Sequence, residues 1–219
     1  MVYRKTKHVE ERLADTRKRI LKSARTLVSE GGWGEAQVSN VAASAGVAIG
    51  SVYRYFPSKA DLFVEVLSSV SQREVDVVAS IIQEQESPVN RLQIAVATFV
   101  KRAMRNRRLA YAMIAEPCDK EIDSARLAYR HAISMQIIEI VNQGQQTGDF
   151  RPDISADIAA TLIVGGFMEG LIGPLSPLNK DFSSGDEIEQ AAIDDLANQI
   201  ADACCAAIVQ NNKLSTITP

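Results

Sequence analysis

Residues 37–56, QVSNVAASAGVAIGSVYRYF, constrain the fold of this chain more than any other stretch. Apolar residues around Val41 recur at helical spacing and predict a first short helix. Gly46 follows where that helix must end, because glycine enters the left-handed conformation without a Cβ clash. Val52 and Phe56, four residues apart, give a second helix one inward face. The stretch therefore predicts two short helices joined by a tight turn.

A helix pair of this shape can place its second helix in the major groove of DNA. Ser and Arg side chains can read base edges there, while Tyr hydroxyls, Lys and backbone N–H groups hold phosphates. The same geometry also occurs in proteins that bind no DNA, so the pattern alone leaves both interpretations open. The candidate DNA-binding residues are Gln37, Ser39, Ala48, Ile49, Gly50, Ser51, Tyr53, Arg54, Tyr55 and Lys59.

The distribution of charge favours the DNA interpretation, although the whole chain of 219 residues carries a net charge of −3. Residues 1–60 hold eleven Lys and Arg against five Asp and Glu, a net charge of +6. The remaining residues hold thirteen against twenty-two, a net charge of −9. Basic charge is thus concentrated around the helix pair, as contact with a phosphate backbone requires.

The pattern AGVxxGxxYxYFxSKxxL, from Ala45 to Leu62, resembles the DNA-binding signature of the TetR family of bacterial transcriptional regulators. The resemblance is sharp over residues 16–63. Two positions depart from it: the family usually has Ser or Thr where this chain has Ala48, and Thr where it has Gln37. The resemblance implies a ligand-responsive regulator, usually a repressor, that binds a palindromic double-stranded operator as a homodimer. It also implies that Lys59 contacts a phosphate.

The sequence predicts an all-α fold with an N-terminal three-helix DNA-binding domain and a larger C-terminal helical bundle for ligand binding and dimerisation. Start signals precede two of the later helices: Ser58 and Asp61 have capping-box spacing, and Ser87-Pro88 places Pro at a first helical position. A basic, partly mobile arm is expected over residues 1–14, ahead of a first helix from Asp15; contact with phosphates or a minor groove, or no role, are all open for it. The predicted domains are residues 1–60, 61–211 and a flexible tail, 212–219. Further helices are predicted near 15–30, 59–86, 88–106, 109–116, 119–146, 157–178 and 187–211.

The last three of these helices carry more apolar residues than a single helical stripe holds. The helix at 119–146 has one stripe through Ile133 and Ile137 and a second through Leu127 and Met135, which predicts burial on two sides. The segment 157–178 is long enough to span a membrane. Glu169 and four glycines argue against a span, so no membrane partner is expected. We predict a homodimer through residues 157–174 and 187–210, with plain burial as the alternative. The predicted inward residues of the last helix are Ile188, Ala192, Leu196, Ile200, Ala203, Ala207 and Ile208.

Resemblance to the family also implies a cavity for a small-molecule effector within residues 88–178. The mostly apolar candidates favour a hydrophobic or amphipathic ligand, although such residues are more often plain core. Glu169 stands in an apolar run, and three roles are open for it: contact with a cationic or hydroxylated ligand, pairing with Arg102 or Arg130, or a place at the dimer seam. The candidate ligand-binding residues are Phe99, Arg102, Tyr111, Met113, Met135, Phe167, Met168 and Glu169.

The residues offer little for catalysis or metal binding. The two histidines, His8 and His131, are too few for most metal or nucleophile-base sites. Cys118, Cys204 and Cys205 lack metal-ligand spacing and are predicted as buried free thiols in a reducing cytoplasm. We therefore expect no enzyme, no cofactor and no metal. The rival hypothesis is a helical small-molecule or partner-binding protein that has lost operator binding.

Two smaller features complete the sequence predictions. Trp33 follows the glycines that end the first helix, and it is predicted as a lid over the core rather than as a platform for a stacked base. The basic run Arg105-Asn106-Arg107-Arg108 is predicted as a solvated corner between two helices.

Overall fold

A computed structural model describes residues 7–179 and 187–210. Within those ranges the chain is all-α, as predicted, and the one extended contact is a bridge between Phe150 and Val209. The helices are α1 (Lys7–Glu35), α2 (Val38–Ala45), α3 (Ile49–Tyr55), α4 (Lys59–Ile82), α5 (Pro88–Arg105), α6 (Arg107–Ile114), α7 (Lys120–Thr147), α8 (Ala156–Leu175) and α9 (Glu187–Ala206). The expected tail and most of the loop before α9 lie outside the described residues.

The first helix begins earlier than predicted. α1 is already helical at Lys7, so the prediction of a mobile arm is wrong for residues 7–14, and Asp15 lies inside the helix rather than at its cap. Residues 1–6 of that arm lie outside the described residues. The helical conformation breaks at Gly32, whose φ of 75° and ψ of −164° are open to glycine. A Cβ there would lie 1.6 Å from Nη2 of Arg108, so this position requires glycine.

The helix pair folds as the sequence predicts. Gly46 adopts the left-handed conformation with φ 65° and ψ 39°. Its N–H donates to the Ala43 carbonyl oxygen at 3.2 Å, and the Val47 N–H donates to the Ala42 carbonyl oxygen at 3.0 Å. These bonds satisfy carbonyl groups that would otherwise be left without partners at the end of α2.

Two helix starts have the predicted side-chain caps. The Ser58 hydroxyl oxygen accepts from the Asp61 N–H at 3.0 Å, and the hydroxyl donates to the Asp61 carboxylate at 2.8 Å. The Ser87 hydroxyl oxygen accepts from the Asn90 N–H at 3.2 Å, with Pro88 at the first helical position. Each cap of this type is worth about 1 kcal/mol of helix stability.

The buried apolar residues form two clusters. One lies around α1–α3 and the start of α4, and it also takes in Leu109, Ala112 and Met113 of α6 and Ile122 of α7. The other lies among the later part of α4 and helices α5, α7, α8 and α9. The domain boundary predicted at residue 60 stays a prediction, since helices α4 and α6 contribute to the N-terminal cluster.

The prediction that α7 is buried on two sides is wrong. Ile133, Ile137 and Ile140 are buried, but Leu127 and Met135 lie on the surface, with Met135 48% exposed. The helix therefore packs on α4, α5 and α8 through one stripe and exposes the other.

Helices α8 and α9 pack against each other and leave an apolar outer face. Ile158 and Leu162 of α8 are 56% and 52% exposed. In α9 the buried stripe runs through Ile193, Ala197 and Ala201, one residue further along than the predicted stripe through Ala192, Leu196 and Ile200. The side chain of Ile188 lies outside the described residues. By length and composition α8 could cross a membrane, and 44% of its apolar stretch is buried inside the protein.

Candidate nucleic-acid interface and ligand cavity

Helix α3 is anchored on one side and exposed on the other. Val52 and Phe56 are buried, as predicted. Ile49 is 50% exposed and Tyr53 46% exposed, and Arg54 is exposed without a described hydrogen bond or ion pair. Gly50 lies between them, and a Cβ at this position would meet no atom within 4 Å. This face therefore offers a cation, a phenol and a close backbone approach to any surface it contacts.

Three other predicted contacts lie at the edge of this face. Ser51, Tyr55 and Lys59 are half-buried, and Tyr55 packs against the N-terminal cluster. Nζ of Lys59 lies 5.9 Å from the centre of the Phe63 ring, which helps to hold this ammonium group at the start of α4.

The residues at the starts of α2 and α3 are placed less favourably for a contact. Nε2 of Gln37 donates to the Gly34 carbonyl oxygen at 2.8 Å, so this side chain stabilises the turn before α2. Ser39 is exposed. Ala48 occupies the N-cap position of α3, and its methyl side chain cannot accept a hydrogen bond from the first turn. The Ala48 carbonyl oxygen accepts from the Ser51 N–H at 2.8 Å.

Not all the basic charge of the N-terminal unit is free. The Arg17 guanidinium forms an ion pair with Glu65 and lies over the Phe56 ring, 4.8 Å from its centre, so it ties α1 to α4. Arg12, Lys18 and Lys22 of α1 are exposed and remain available to phosphates.

A joint of three residues connects the end of α1 to α6. The buried Trp33 indole N–H donates to the Ala112 carbonyl oxygen at 2.8 Å. Arg108 donates to Glu116 at 2.6 and 3.1 Å and to the Gly31 carbonyl oxygen at 2.8 Å. Glu116 also accepts from the Trp33 backbone N–H at 3.2 Å. The prediction of Trp33 as a lid over the core is confirmed.

The prediction of a solvated corner at Arg105–Arg108 is wrong for two of its arginines. Arg108 belongs to the joint just described. The Arg107 guanidinium donates to the carbonyl oxygens of Pro174 and Asn179 at 2.8 and 3.0 Å, which fastens α6 to the end of α8. Arg105 alone is exposed.

A cavity of about 260 Å³ lies between α1, α4, α5, α6, α7 and α8. Four predicted ligand-binding residues line it: Phe99, Arg102, Met113 and Met168. The other four do not. Tyr111 and Phe167 pack in the C-terminal cluster, Phe167 against Phe99 with ring centres 4.8 Å apart.

The remaining two predicted ligand residues lie on the surface. Met135 is exposed, as described above, and Glu169 is exposed on α8. Arg102 pairs with Glu74 instead, at 2.7 and 2.8 Å, and these hydrogen bonds raise the pKa of Arg102 above its usual value. Of the three roles considered for Glu169, only a place at a dimer seam is compatible with this position.

The prediction of buried free thiols is confirmed for two of the three cysteines and is wrong for Cys118. Cys204 and Cys205 are buried, and Cys118 is half-buried. Burial raises the pKa of the Cys204 thiol to about 11 and raises that of Cys205 further. Within residues 7–179 and 187–210 no group of three metal-ligating side chains comes together.

The sequence model described as "Bacterial regulatory proteins, tetR family" matches residues 20–66. The match spans the helix pair, with the flanking parts of α1 and α4. Residues 20–66 therefore carry the sequence signature of the DNA-binding segment of TetR-family regulators. Helix α3, with its exposed face, lies inside the matched segment.

Curated relatives align with only part of the chain or at lower identity. The HTH-type transcriptional repressor KstR of Rhodococcus jostii is 36% identical over 101 residues, 45% of this chain and 46% of that protein. The chain thus spans about half the length of the first curated relatives it matches.

Two solved structures share the fold along most of the chain. The fatty acid degradation regulator FadR of Bacillus halodurans matches with a TM-score of 0.70 and 21% identity, covering 87% of this chain and 94% of that one. FadR of Bacillus subtilis, solved in complex with stearoyl-CoA, matches with a TM-score of 0.70 and 18% identity, covering 87% and 98%. At these identities the likeness shows the fold alone.

Most of the polar residues that line the cavity were not predicted from the sequence. Arg25, Arg73, Arg126 and Glu74 line it, and so do Arg105 and Arg130. The sequence held one indication of these cavity arginines. Arg126 and Arg130 are four residues apart, which places them on the same face of α7 as the buried Ile133.

Proposed function

We propose that this chain is a homodimeric transcriptional repressor that binds a palindromic operator and is released from it by a small-molecule effector. The observation that carries the proposal is the face of α3, where Ile49, Tyr53 and Arg54 are exposed opposite the buried anchors Val52 and Phe56. The basic charge of residues 1–60 supplies the attraction to phosphates. The relatives are transcriptional regulators, which supports a binding function over an enzymatic one, and we place the protein in the cytoplasm with its DNA.

The proposed docking divides the contacts by kind. Ser51 and Arg54 read base edges, where a good bidentate contact discriminates by about 1–3 kcal/mol. Tyr53 and Lys59 hold phosphates on either side of the recognition helix. Tyr55 contributes only its outer edge, since its ring packs against the core.

Selection from a random duplex pool at two salt concentrations tests this docking. An inverted repeat is the expected result. Tyr53→Ala and Lys59→Ala should then weaken binding to all sequences, and Lys59→Ala, which removes a cation, should also make binding less salt-dependent. Ser51→Ala and Arg54→Ala should change the preferred bases. Arg151→Ala is the control, because Arg151 is an exposed arginine that pairs with Asp153 and lies far from the helix pair in the sequence. If neither pair of substitutions affects binding, the docking is wrong.

The outer face of α8 and α9 is the proposed dimer interface. Ile158 and Leu162 are exposed there, Gly165 allows close approach of a second helix, and Glu169 lies on the same outward side. A two-fold dimer doubles the recognised site, because each recognition helix reads one half-site.

Leu162→Glu tests the interface by burying a charge in it. The variant should become monomeric in light scattering while its helix content stays unchanged. Leu127→Glu is the matched control, because Leu127 is similarly exposed, at 59%, but lies on α7. A monomeric wild-type protein, or a dimer that survives Leu162→Glu, would refute this interface.

The effector is proposed to bind in the cavity between the two clusters. Arg25 of α1 and residues of α4 and α6 line it together, so a ligand there contacts both the DNA-binding unit and the bundle. An effector that binds more tightly to one spacing of the two recognition helices shifts the population toward that spacing. One fold neighbour was solved with stearoyl-CoA, which supports an amphipathic effector.

A second candidate function is a helical ligand-binding or partner-binding protein that has lost operator binding. The uncapped start of α3 at Ala48 and the use of Gln37 within its own turn favour it. The selection experiment separates the two, since a folded dimer that enriches no duplex, with or without a cavity ligand, supports this alternative.

A further inference from the structure

The cavity between the two clusters is strongly basic, although most of its lining comes from the acidic part of the chain, residues 61–219. Its lining includes six arginines, from α1, α4, α5 and α7, and a single carboxylate, Glu74. Arginines are seldom gathered in an enclosed space unless something of opposite charge meets them.

Two of the arginines are already committed. Arg102 is held by Glu74 through two hydrogen bonds. Arg126 pairs with Asp123 and donates to the carbonyl oxygens of Ala112 and Glu116. These interactions fix the walls of the cavity.

The other four arginines have no such partner. Arg25, Arg73, Arg105 and Arg130 form no hydrogen bond or ion pair with any residue in the described ranges. Nε of Arg130 is fully buried and lacks a hydrogen-bond partner there, an arrangement that costs free energy unless a ligand or water accepts the bond. Arg25, Arg73 and Arg105 are exposed and therefore lie at the mouth.

The inner part of the cavity is apolar. Phe99, Met113, Ile133 and Met168 are all buried and line it. Its volume of about 260 Å³ accommodates about nine groups of ~30 Å³ each. A short alkyl chain or a small ring system fits this space.

We propose that the effector of this cavity is an amphipathic anion. Its apolar part lies among Phe99, Met113 and Met168, and its carboxylate or phosphate lies among Arg25, Arg73, Arg105 and Arg130. This inference rests on the proposed effector site. It adds that Arg25, on the first helix of the DNA-binding unit, contacts the acidic group directly, so that the ligand's charge is read by the unit that binds DNA.

Isothermal titration of the full chain without DNA tests the ligand class with four probes that share one chain: octanoate, octyl phosphate, octanol and octyltrimethylammonium. At least one anion should bind about tenfold or more tightly than octanol, because charge-assisted hydrogen bonds to Arg are among the strong ones. The cation should bind more weakly than octanol. The ratio of the two anions identifies a carboxylate or a phosphate as the preferred group. Octanol binding as tightly as both anions, or neither anion binding, would overturn the inference.

Variants locate the acidic group. Arg130→Gln and Arg25→Gln should each weaken binding of the preferred anion about tenfold and leave octanol binding unchanged. Lys22→Gln is the matched control, because Lys22 is an exposed cation on α1, one turn before Arg25, that does not line the cavity. Equal losses for anion and octanol would indicate a damaged fold, and Arg73→Gln with Arg105→Gln then provides a second test at exposed positions. Unchanged anion affinity in all the arginine variants would overturn the assignment.

Operator binding is measured separately, with a labelled duplex from the selection experiment. Arg-dependent anion binding without any selected duplex would leave this inference intact and refute the repressor proposal. A selected duplex without Arg-dependent anion binding would support the repressor proposal and overturn this inference.

Discussion

The joint between α1 and α6 allows a prediction whose size follows from its geometry. Arg108 makes two hydrogen bonds to Glu116 and one to the Gly31 carbonyl oxygen, and the side chains are only 25% and 17% exposed. An exposed ion pair contributes about 0–1 kcal/mol, whereas a hydrogen bond to a charged group contributes about 1.5–3 kcal/mol. For this partly screened pair we expect a coupling free energy of about 1–2 kcal/mol.

A double-mutant cycle with Arg108→Met and Glu116→Gln measures that coupling. Arg108→Met should lower the free energy of unfolding by about 2–3 kcal/mol, because Glu116 then keeps only the Trp33 N–H and the Gly31 carbonyl loses the Arg108 hydrogen bond. Glu116→Gln keeps the shape and loses the charge, and should cost about 1–2 kcal/mol. The double variant should cost less than the sum by the coupling free energy.

Urea unfolding at fixed protein concentration provides the assay, followed by far-UV circular dichroism and by tryptophan fluorescence. Trp33 is the only tryptophan, and its indole donates to α6, so fluorescence reports on the joint itself. The Arg102–Glu74 pair has similar geometry and exposure but joins α5 to α4 rather than to the helices that Trp33 connects. Breaking it should therefore destabilise the protein without shifting native fluorescence. A coupling below about 0.5 kcal/mol for Arg108 and Glu116 would refute the assignment of this pair as a structural joint.

Two further predictions follow from local geometry. Gly46→Ala should lower the free energy of unfolding by about 1–2 kcal/mol in thermal or urea unfolding, because Gly46 has φ 65°. Gly50→Ala is the control and should change it by less than about 0.5 kcal/mol, since a Cβ there meets no atom within 4 Å. Equal effects would contradict the role of Gly46 in ending α2. In the native protein at pH 8, iodoacetamide should modify Cys118 and spare Cys204 and Cys205, as measured by mass spectrometry, because both are buried and burial raises the pKa of the Cys204 thiol to about 11, which leaves little thiolate. Modification of all three cysteines at equal rates would show that α9 opens readily, and unfolding the protein in urea should make them equally reactive.

The parts of the fold that were predicted correctly depend on interactions within a few residues. Gly46 ends α2, Ser58 and Ser87 cap α4 and α5, and Val52 with Phe56 anchors α3. Each of these outcomes is set by backbone freedom, a short hydrogen bond or a helical period. The family signature adds the prediction that α3 is a recognition helix, because the residues of the signature are adjacent in the chain.

The tertiary structure decided which apolar or charged surfaces are covered. Met135 and Glu169 had the same local context as buried residues, yet they are exposed because no other described helix packs over those sides of α7 and α8. The buried stripe of α9 lies one residue further along than predicted, because the packing of α5 and α8 determines which face of α9 is covered. Arg25, Arg73 and Arg130 come from three helices that are distant in the chain, and their convergence depends on how α1, α4 and α7 pack. Local rules therefore determined where helices begin, end and turn, whereas the choice of covered face and the assembly of the cavity required contacts between distant segments.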